Sequence, residues 1–228
     1  MTVRVIGSEV RAMFGSIAHR YDLTNSVLSM GTHHLWRKTL VRMAPELKDG
    51  LALDVCTGTG DLIPLLEKRF GRCMGADFCF PMMQAGQGKF STRPKFLQSD
   101  ALCLPFPDRS FDVVSVAFGV RNLEDLHRGL GELRRVLKPG GHLLVLEFGQ
   151  PKGIIFGPVF RFYSRFVMPL IGGLLTGNRR AYTYLPQTSK EFPCAKEFEA
   201  ILVACGFEHV RFKTLTFGIA YAYQAMRP

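Results

Sequence analysis

The sequence predicts an α/β fold organised around a mostly parallel sheet, and three observations carry that expectation. From Leu51 onward, short and nearly unbroken apolar runs alternate with stretches of helical spacing, the pattern of parallel strands covered by helices on both faces. The first run, "LALDVC", opens directly into the glycine-rich turn "TGTGD", where backbone amides can approach a ligand. Near the other end, "HVRFKTLTF" and "IAYAYQAM" are joined at Gly218 closely enough to form an antiparallel hairpin on the sheet edge.

Taken in order, residues 1–50 read as a helical cap, from the apolar spacing in "EVRAMFGSIAHRYD" and "HHLWRKTLVRMA", with Pro45 and Gly50 marking its end. Strands are expected at Leu51–Cys56, Cys73–Ala76, Lys95–Gln98, Phe111–Phe118 and His142–Phe148. Helices are expected at 61–70, 80–90 and 122–137, the last stopped by "KPGG". Residues 51–148 then form the core of a single domain spanning 1–228. Residues 149–193 break the rhythm as a late insertion or lid, and 194–228 supply a helix at 194–205 and the hairpin.

At 228 residues, 47% hydrophobic and 21% charged, the chain is long and apolar enough for one globular domain with an elaboration. Its formal charge of +10 implies attraction to an anionic partner, whether nucleic acid, anionic lipid or an acidic ligand. Six cysteines show no CxxC pair and no zinc-type spacing, so no metal is expected, and reduced thiols in a cytoplasmic protein are. The most apolar stretch, from Phe156, is interrupted by Arg161 and Arg165 and falls short of the ~20 apolar residues that cross a bilayer. Between 151 and 193, six Lys and Arg stand against Glu191 alone and are interleaved with phenylalanines and leucines. That composition fits a lid packed on the domain, and it also fits peripheral membrane contact through 151–180.

The loop after the first strand lacks the Gly-Lys-[Ser/Thr] of a triphosphate-binding loop, and Ile63 occupies the third glycine position of a dinucleotide loop. Its fuller pattern, Asp54-x-Cys56-x-Gly58-x-Gly60, resembles the first motif of class I S-adenosylmethionine-dependent methyltransferases, with Cys56 replacing the first glycine. The resemblance implies a Rossmann-like, mostly parallel seven-stranded sheet with S-adenosyl-L-methionine at its carboxyl edge. Asp54, Gly58, Thr59 and Gly60 would form the cofactor loop. Asp77, ending the second strand, would take the ribose hydroxyls, and Asp100 with Ala101, ending the third, the adenine amino group. Ala117 stands where a serine contact to the cofactor is frequent.

"YDLTNSVLSMGTHHLW", Tyr21 to Trp36, and "RVLKPGGHLLVLEFG", Arg135 to Gly149, resemble the two signatures of the ubiquinone/menaquinone biosynthesis C-methyltransferase family. Thr24 replaces a usual methionine and Gly149 a usual serine. The "FGVRN" run at 118–122 is also similar to that family, and the likeness covers nearly the whole chain. It implies methylation of a ring carbon on a reduced polyprenyl quinone: a demethylmenaquinol, a 6-methoxy-benzoquinol, or both. A quinone is an electrophile, so the acceptor must be the quinol, activated by loss of a phenolic proton to a base or beside a cation. Arg121 and Asn122, after the fourth strand, are candidates to hold the phenolate oxygen. His33 is a candidate for substrate contact or base, and Tyr21 for donation to a ring oxygen. Cys56 reads as a packed thiol, because transfer to a quinol needs no covalent intermediate. Two rivals stand beside this reading: an RNA methyltransferase, which the charge suggests but no Asn-Pro-Pro-aromatic motif supports, and a non-catalytic cofactor-binding subunit. Prenyl length, ring type, the base and oligomeric state are not encoded in any motif.

Overall fold

The computed structural model describes residues 7–90, 95–154 and 156–228. Three helices lead: α1 (Gly7–Ile17), α2 (Tyr21–Leu28) and α3 (Thr32–Val41). The core follows as β1 (Leu51–Val55), α4 (Ile63–Phe70), β2 (Arg72–Asp77), α5 (Phe80–Gln87), β3 (Lys95–Gln98), β4 (Phe111–Ala117), α6 (Leu126–Val136) and β5 (Leu137–Phe148). Next come α7 (Phe156–Phe162), a π turn (Tyr163–Val167), α8 (Met168–Thr176) and α9 (Arg179–Glu191). Then α10 (Lys196–Ala204), β6 (Glu208–Leu215) and β7 (Ala220–Met226) complete the chain.

The seven strands form one sheet in the order β3-β2-β1-β4-β5-β7-β6. β7 runs antiparallel to both β5 and β6, so the terminal hairpin closes one edge of a parallel sheet. The order reverses between β1 and β4, and the crevice at their carboxyl ends is where such sheets take ligands.

The period-two alternation of strand side chains divides the core into two layers. Leu53, Val55, Val114, Val116, Leu143 and Val145 pack under α6 and α10 on one face. Their neighbours Ala52, Val113, Leu144, Leu146, Ala220 and Ala222 pack under α3 and α4 on the other, with Trp36, Leu40, Leu66 and Phe70 fully or nearly buried. Burying both faces is why these strands read as continuous apolar runs.

Two sequence expectations are corrected here. "KPGG" does not stop α6. The helix ends at Val136, Leu137 is already extended, and Lys138–Gly141 bulge out of β5 between the pairs Phe111↔Leu137 and Val113↔His142. Gly140 takes φ 74°, and this bulge is pinned by Gly140 N donating to Arg227 O (2.8 Å) and Arg227 N to Gly141 O (2.9 Å). The terminating carbonyls of α6 are met from a distance: Arg227 Nη1 donates to Arg134 O and Arg135 O, both at 2.8 Å. Second, the expected helix over 122–137 is two elements. Val120–Asn122 form a 3₁₀ turn, and α6 begins after Asp125, whose side chain caps Arg128 N at 2.9 Å. Arg121 and Asn122 therefore sit on a tight turn at the end of β4 rather than at a helix start.

The insertion is helical. α8 and α9 close over α1 and α2 through Ile17, Leu28, Met168, Ala181 and Tyr182. Gly172 is required there, because a Cβ at that position would lie 2.2 Å from the Tyr182 ring. Among the described residues, no helix is long and apolar enough to cross a membrane.

Candidate active site

The carboxyl ends of β1, β2 and β4 open into a cavity of about 330 Å³, roofed by α1 and α2. Its floor is the loop after β1. Cys56 (φ 55°), Gly58 (φ 58°) and Gly60 (φ 80°) all adopt left-handed backbone conformations, so the alternating pattern in the sequence records an alternating backbone. Cys56 holds its conformation despite carrying a Cβ. The turn is closed by Thr57 N donating to Ala76 O (3.1 Å) and Gly60 N to Thr57 O (2.9 Å).

Asp77, at the tip of β2, is fixed by two backbone donors: Gly58 N to Oδ2 and Cys79 N to Oδ1, each 2.8 Å. Burial pushes its pKa up, against the opposing pull of those amides. Beyond β3, Asp100 bridges to Cys103 and accepts Leu102 N at 2.9 Å. Gly58, Asp77, Asp100, Ala101 and Ala117 all line the cavity, as does Cys56. Burial raises the Cys56 thiol well above its ordinary value, with Asp77 and Asp54 adding to the effect, so it remains a neutral wall group.

Three other candidates lie behind the wall. Asp54 is buried and accepts from Thr57 Oγ1 and Ser115 Oγ, both at 2.7 Å, and burial lifts its pKa to about 6. Thr59 Oγ1 donates to Asp22 Oδ1 at 2.7 Å, tying the loop to α2. Gly60 lies beneath Phe96 and Phe90, where a Cβ would come within 3.0 Å of either ring. These residues shape the loop rather than face its contents.

Sequence reasoning missed the contributions of α1, of the start of α5 and of Ser99. Arg11 and Phe14 of α1, Cys79 and Met82 around the start of α5, and Ser99 complete the wall. The helical spacing of "EVRAMF" was legible, but what α1 covers depends on tertiary packing.

Tyr21 and Asn122 also line the cavity. Burial raises the Tyr21 pKa, so the phenol stays protonated and able to donate. Asn122 Oδ1 accepts Tyr184 Oη of α9 at 3.1 Å, which links the insertion to the end of β4. Arg121 does not line the cavity; it is buried next to Asn122 on the same turn. Its Nη1 donates to Glu147 Oε1 (2.7 Å) and Phe118 O (2.6 Å), and its guanidinium lies 5.3 Å from the Phe148 ring centre. Glu147 Oε1 also accepts Phe148 N at 2.8 Å. Arg121 Nε is buried with no partner among the described residues. His33 does not line the cavity. It packs within α3 with Nδ1 hydrogen-bonded to Ser29 Oγ at 2.6 Å, and burial, then Arg37, then His34 lower its pKa to about 4. It is therefore neutral at physiological pH. Nearby, Asp61 joins Arg37 (3.1 Å) and Lys89 (2.7 Å), and Lys89 also meets Asp22. Burial works to raise the Asp61 pKa, but those two cations hold it below the usual range.

The cavity fits an adenosyl amino acid. Asp77 and Asp100 can accept from ribose and adenine, the glycine loop presents amides, and Phe78, Met82 and Leu102 offer apolar walls. The Ser99 hydroxyl, buried in the same wall without a partner among the described residues, is a polar atom that such a ligand would satisfy.

The sequence profile described as the ubiE/COQ5 methyltransferase family matches residues 3–227. The chain is 46% identical over 221 residues to a demethylmenaquinone methyltransferase of Thermus thermophilus, covering 95% of this chain and 100% of that protein. It is 43% identical to the ubiquinone/menaquinone biosynthesis C-methyltransferase UbiE of Bdellovibrio bacteriovorus, covering 94% of each. A crystal structure of an S-adenosylmethionine-dependent methyltransferase from Thermotoga maritima superposes with a TM-score of 0.68 at 18% identity, covering 95% of this chain and 99% of that one, a likeness of fold. Matched from end to end in sequence and built around a cavity of this shape and chemistry, the chain belongs to the ubiE/COQ5 methyltransferase family, whose members are S-adenosylmethionine-dependent enzymes.

Proposed function

We propose that this enzyme methylates a ring carbon of a reduced polyprenyl quinone, converting a demethylmenaquinol to a menaquinol. The observation that carries the reading is the turn after β4, which places Asn122 in the cavity wall and, behind it, Arg121, a buried guanidinium anchored through Nη1 whose Nε has no partner among the described residues. S-Adenosylmethionine supplies an electrophilic methyl group when bound. The chain must align the acceptor carbon with it and make that carbon electron-rich. The ion pair with Glu147 holds the Arg121 fork in place, and its Nε–H is the donor left to favour a phenolate oxygen over the phenol. Tyr21, protonated at neutral pH, can donate to a ring oxygen. Loop residues Gly58, Thr59 and Gly60, supported by Asp54, together with Asp77, Asp100, Ala101 and Ala117, hold the cofactor. His33 acts in this reading by supporting the cap rather than as base.

The chain works as one methyltransferase domain, with 1–50 and 149–193 enclosing the acceptor side of the core 51–148 and 194–228 completing the sheet. Relatives named for ubiquinone as well as menaquinone biosynthesis favour a second substrate, 2-polyprenyl-6-methoxy-1,4-benzoquinol. An anaerobic assay with labelled S-adenosylmethionine separates these readings. Label in reduced demethylmenaquinone is expected, and label in the demethylated benzoquinol too would make the enzyme serve both rings. Label in bulk RNA alone, or nowhere, would overturn the proposal.

A further inference from the structure

The insertion has two faces, and only one is used by the fold. Residues Phe156–Thr176 form a continuous helical rod through α7, the π turn and α8. Its inner face is clamped to the cap: Met168 packs with Ile17 and Leu28, Tyr163 Oη donates to Leu28 O (2.7 Å), and Arg20 Nη1 donates to Leu175 O (2.7 Å). Its outer face carries Val159 (60% exposed), Phe162 (61%), Phe166 (53%), Leu170 (55%) and Leu174 (75%), spaced three to four apart as one stripe. α2, which packs against α8, and the turn after it add exposed Leu23, Val27 and Met30 to the apolar surface. Folding has already had the chance to bury these side chains against the domain and has left them out, so the stripe is a contact surface in want of a partner.

The charge around the stripe says what that partner is. From 148 to 190 there is no Asp or Glu, while Lys152, Arg161, Arg165, Arg179, Arg180 and Lys190 are all present. Arg180 leans toward Glu9 at 3.7 Å. Arg161 and Arg165 form no ion pair among the described residues, and both are exposed beside the stripe, Arg165 lying 5.5 Å from the Phe166 ring centre. Aromatic and aliphatic residues flanked by unpaired arginines match the boundary between acyl chains and anionic head groups. RNA offers no counterpart to the aliphatic Val159, Leu170 and Leu174, and a second copy of this basic surface would repel the first.

We infer that the outer face of Phe156–Thr176, extended by α2, docks the enzyme on an anionic lipid surface. The arrangement also gives docking a purpose, a consequence that rests on the proposed quinol substrate. α2 presents Tyr21 to the cavity and Leu23 and Val27 to the outside, while α9, packed behind α8, reaches Asn122 through Tyr184. One layer of helix therefore separates the acceptor site from the bilayer in which a polyprenyl tail dissolves.

Co-sedimentation with vesicles of phosphatidylglycerol and phosphatidylethanolamine, compared with phosphatidylcholine vesicles, tests the docking directly. The intact protein is expected to bind the anionic vesicles, with affinity falling as salt rises. Phe162→Ser with Phe166→Ser should lower partitioning at least tenfold, and Arg161→Gln or Arg165→Gln should each lower it about fivefold. All these variants should keep full turnover of a demethylmenaquinol with a truncated, water-soluble tail, a readout that reports separately on the proposed function and on folding. Absence of vesicle binding by the intact protein, or equal binding by the serine variant, overturns the inference. So does a dimer that the serine variant dissociates, or retention by RNA that outcompetes the vesicles.

Discussion

Cys56 and Gly119 show how a single residue shapes the cofactor loop. Cys56 holds φ 55°, a region that costs a side-chain-bearing residue about 1–2 kcal/mol, and its Cβ lies where Gly119 leaves space. A Cβ added at Gly119 would come 2.5 Å from Cys56 Cβ and 2.8 Å from its Sγ. Gly119→Ala should therefore lower stability by roughly 1–3 kcal/mol. Adding Cys56→Gly should recover most of that loss, a coupling that thermal unfolding of the double-mutant cycle would measure; additive losses would mean the two residues do not compete for this space. Arg121 calls for a gentler change, because removing a partner from a buried ion pair exposes the other to a cost of about 3–5 kcal/mol. Arg121→Lys retains the charge against Glu147 and loses the planar fork. It should reduce single-turnover methyl transfer by roughly a hundredfold while leaving cofactor affinity near that of the parent. An equal loss in cofactor affinity would place Arg121 with the cofactor rather than the acceptor.

At the scale of elements, two features at the ends of β5 depend on remote partners. α6 is terminated by Arg227, whose guanidinium reaches three consecutive-turn carbonyls, those of Arg134, Arg135 and Leu137. Arg227→Met should cost about 1–3 kcal/mol in urea unfolding, and hydrogen exchange should speed up first at the end of α6 and in the 138–141 bulge. Gly149 follows β5 where the resembling signature carries serine. Here the ring of Tyr221 occupies that space, at 2.2 Å from a built Cβ. Gly149→Ser should destabilise the protein by roughly 1–3 kcal/mol, and pairing it with Tyr221→Ala should remove the clash, as a shared shift in the melting temperature would reveal.

For the whole molecule, His33 and Asp54 make opposing contributions to stability as pH changes. The His33 pKa falls from 6.5 to about 4 on folding, so between those values the unfolded chain binds the extra proton and stability rises with pH. The Asp54 pKa rises from 3.8 to about 6, so over nearly the same window the native state binds the extra proton and stability falls as pH rises. The two contributions nearly cancel between about pH 4 and 6. Asp54→Asn should leave His33 unopposed, so that stability climbs with pH by the equivalent of about one bound proton. His33→Gln should produce the reverse slope. Chemical denaturation at half-unit steps would measure both, and parallel curves for all three proteins would show that neither group titrates as its burial requires.

The sequence by itself determined the order of elements, the parallel sheet with its antiparallel edge and the nature of the cofactor loop. Each of these is written in local periodicity or in backbone demands that few residues satisfy, as at Gly58 and Gly60. Asp77, Asp100 and Asn122 were legible as candidates, and they line the cavity, because they lie at or just after strand ends on one edge of such a sheet. Only the tertiary structure decided what lies behind that wall and above it. Asp54 and His33 carry strong sequence signals, yet their side chains are spent on Ser115, Thr57 and Ser29. Glu147 became visible as the anchor of Arg121 only when β5 brought it 2.7 Å from a turn 26 residues earlier. The amphipathic insertion presented the same ambiguity: composition fitted a lid and a lipid contact alike, and packing of one face on the cap left the other outside. Periodicity records which residues prefer an apolar neighbour, but the neighbour itself is chosen by chain crossings that no local pattern contains.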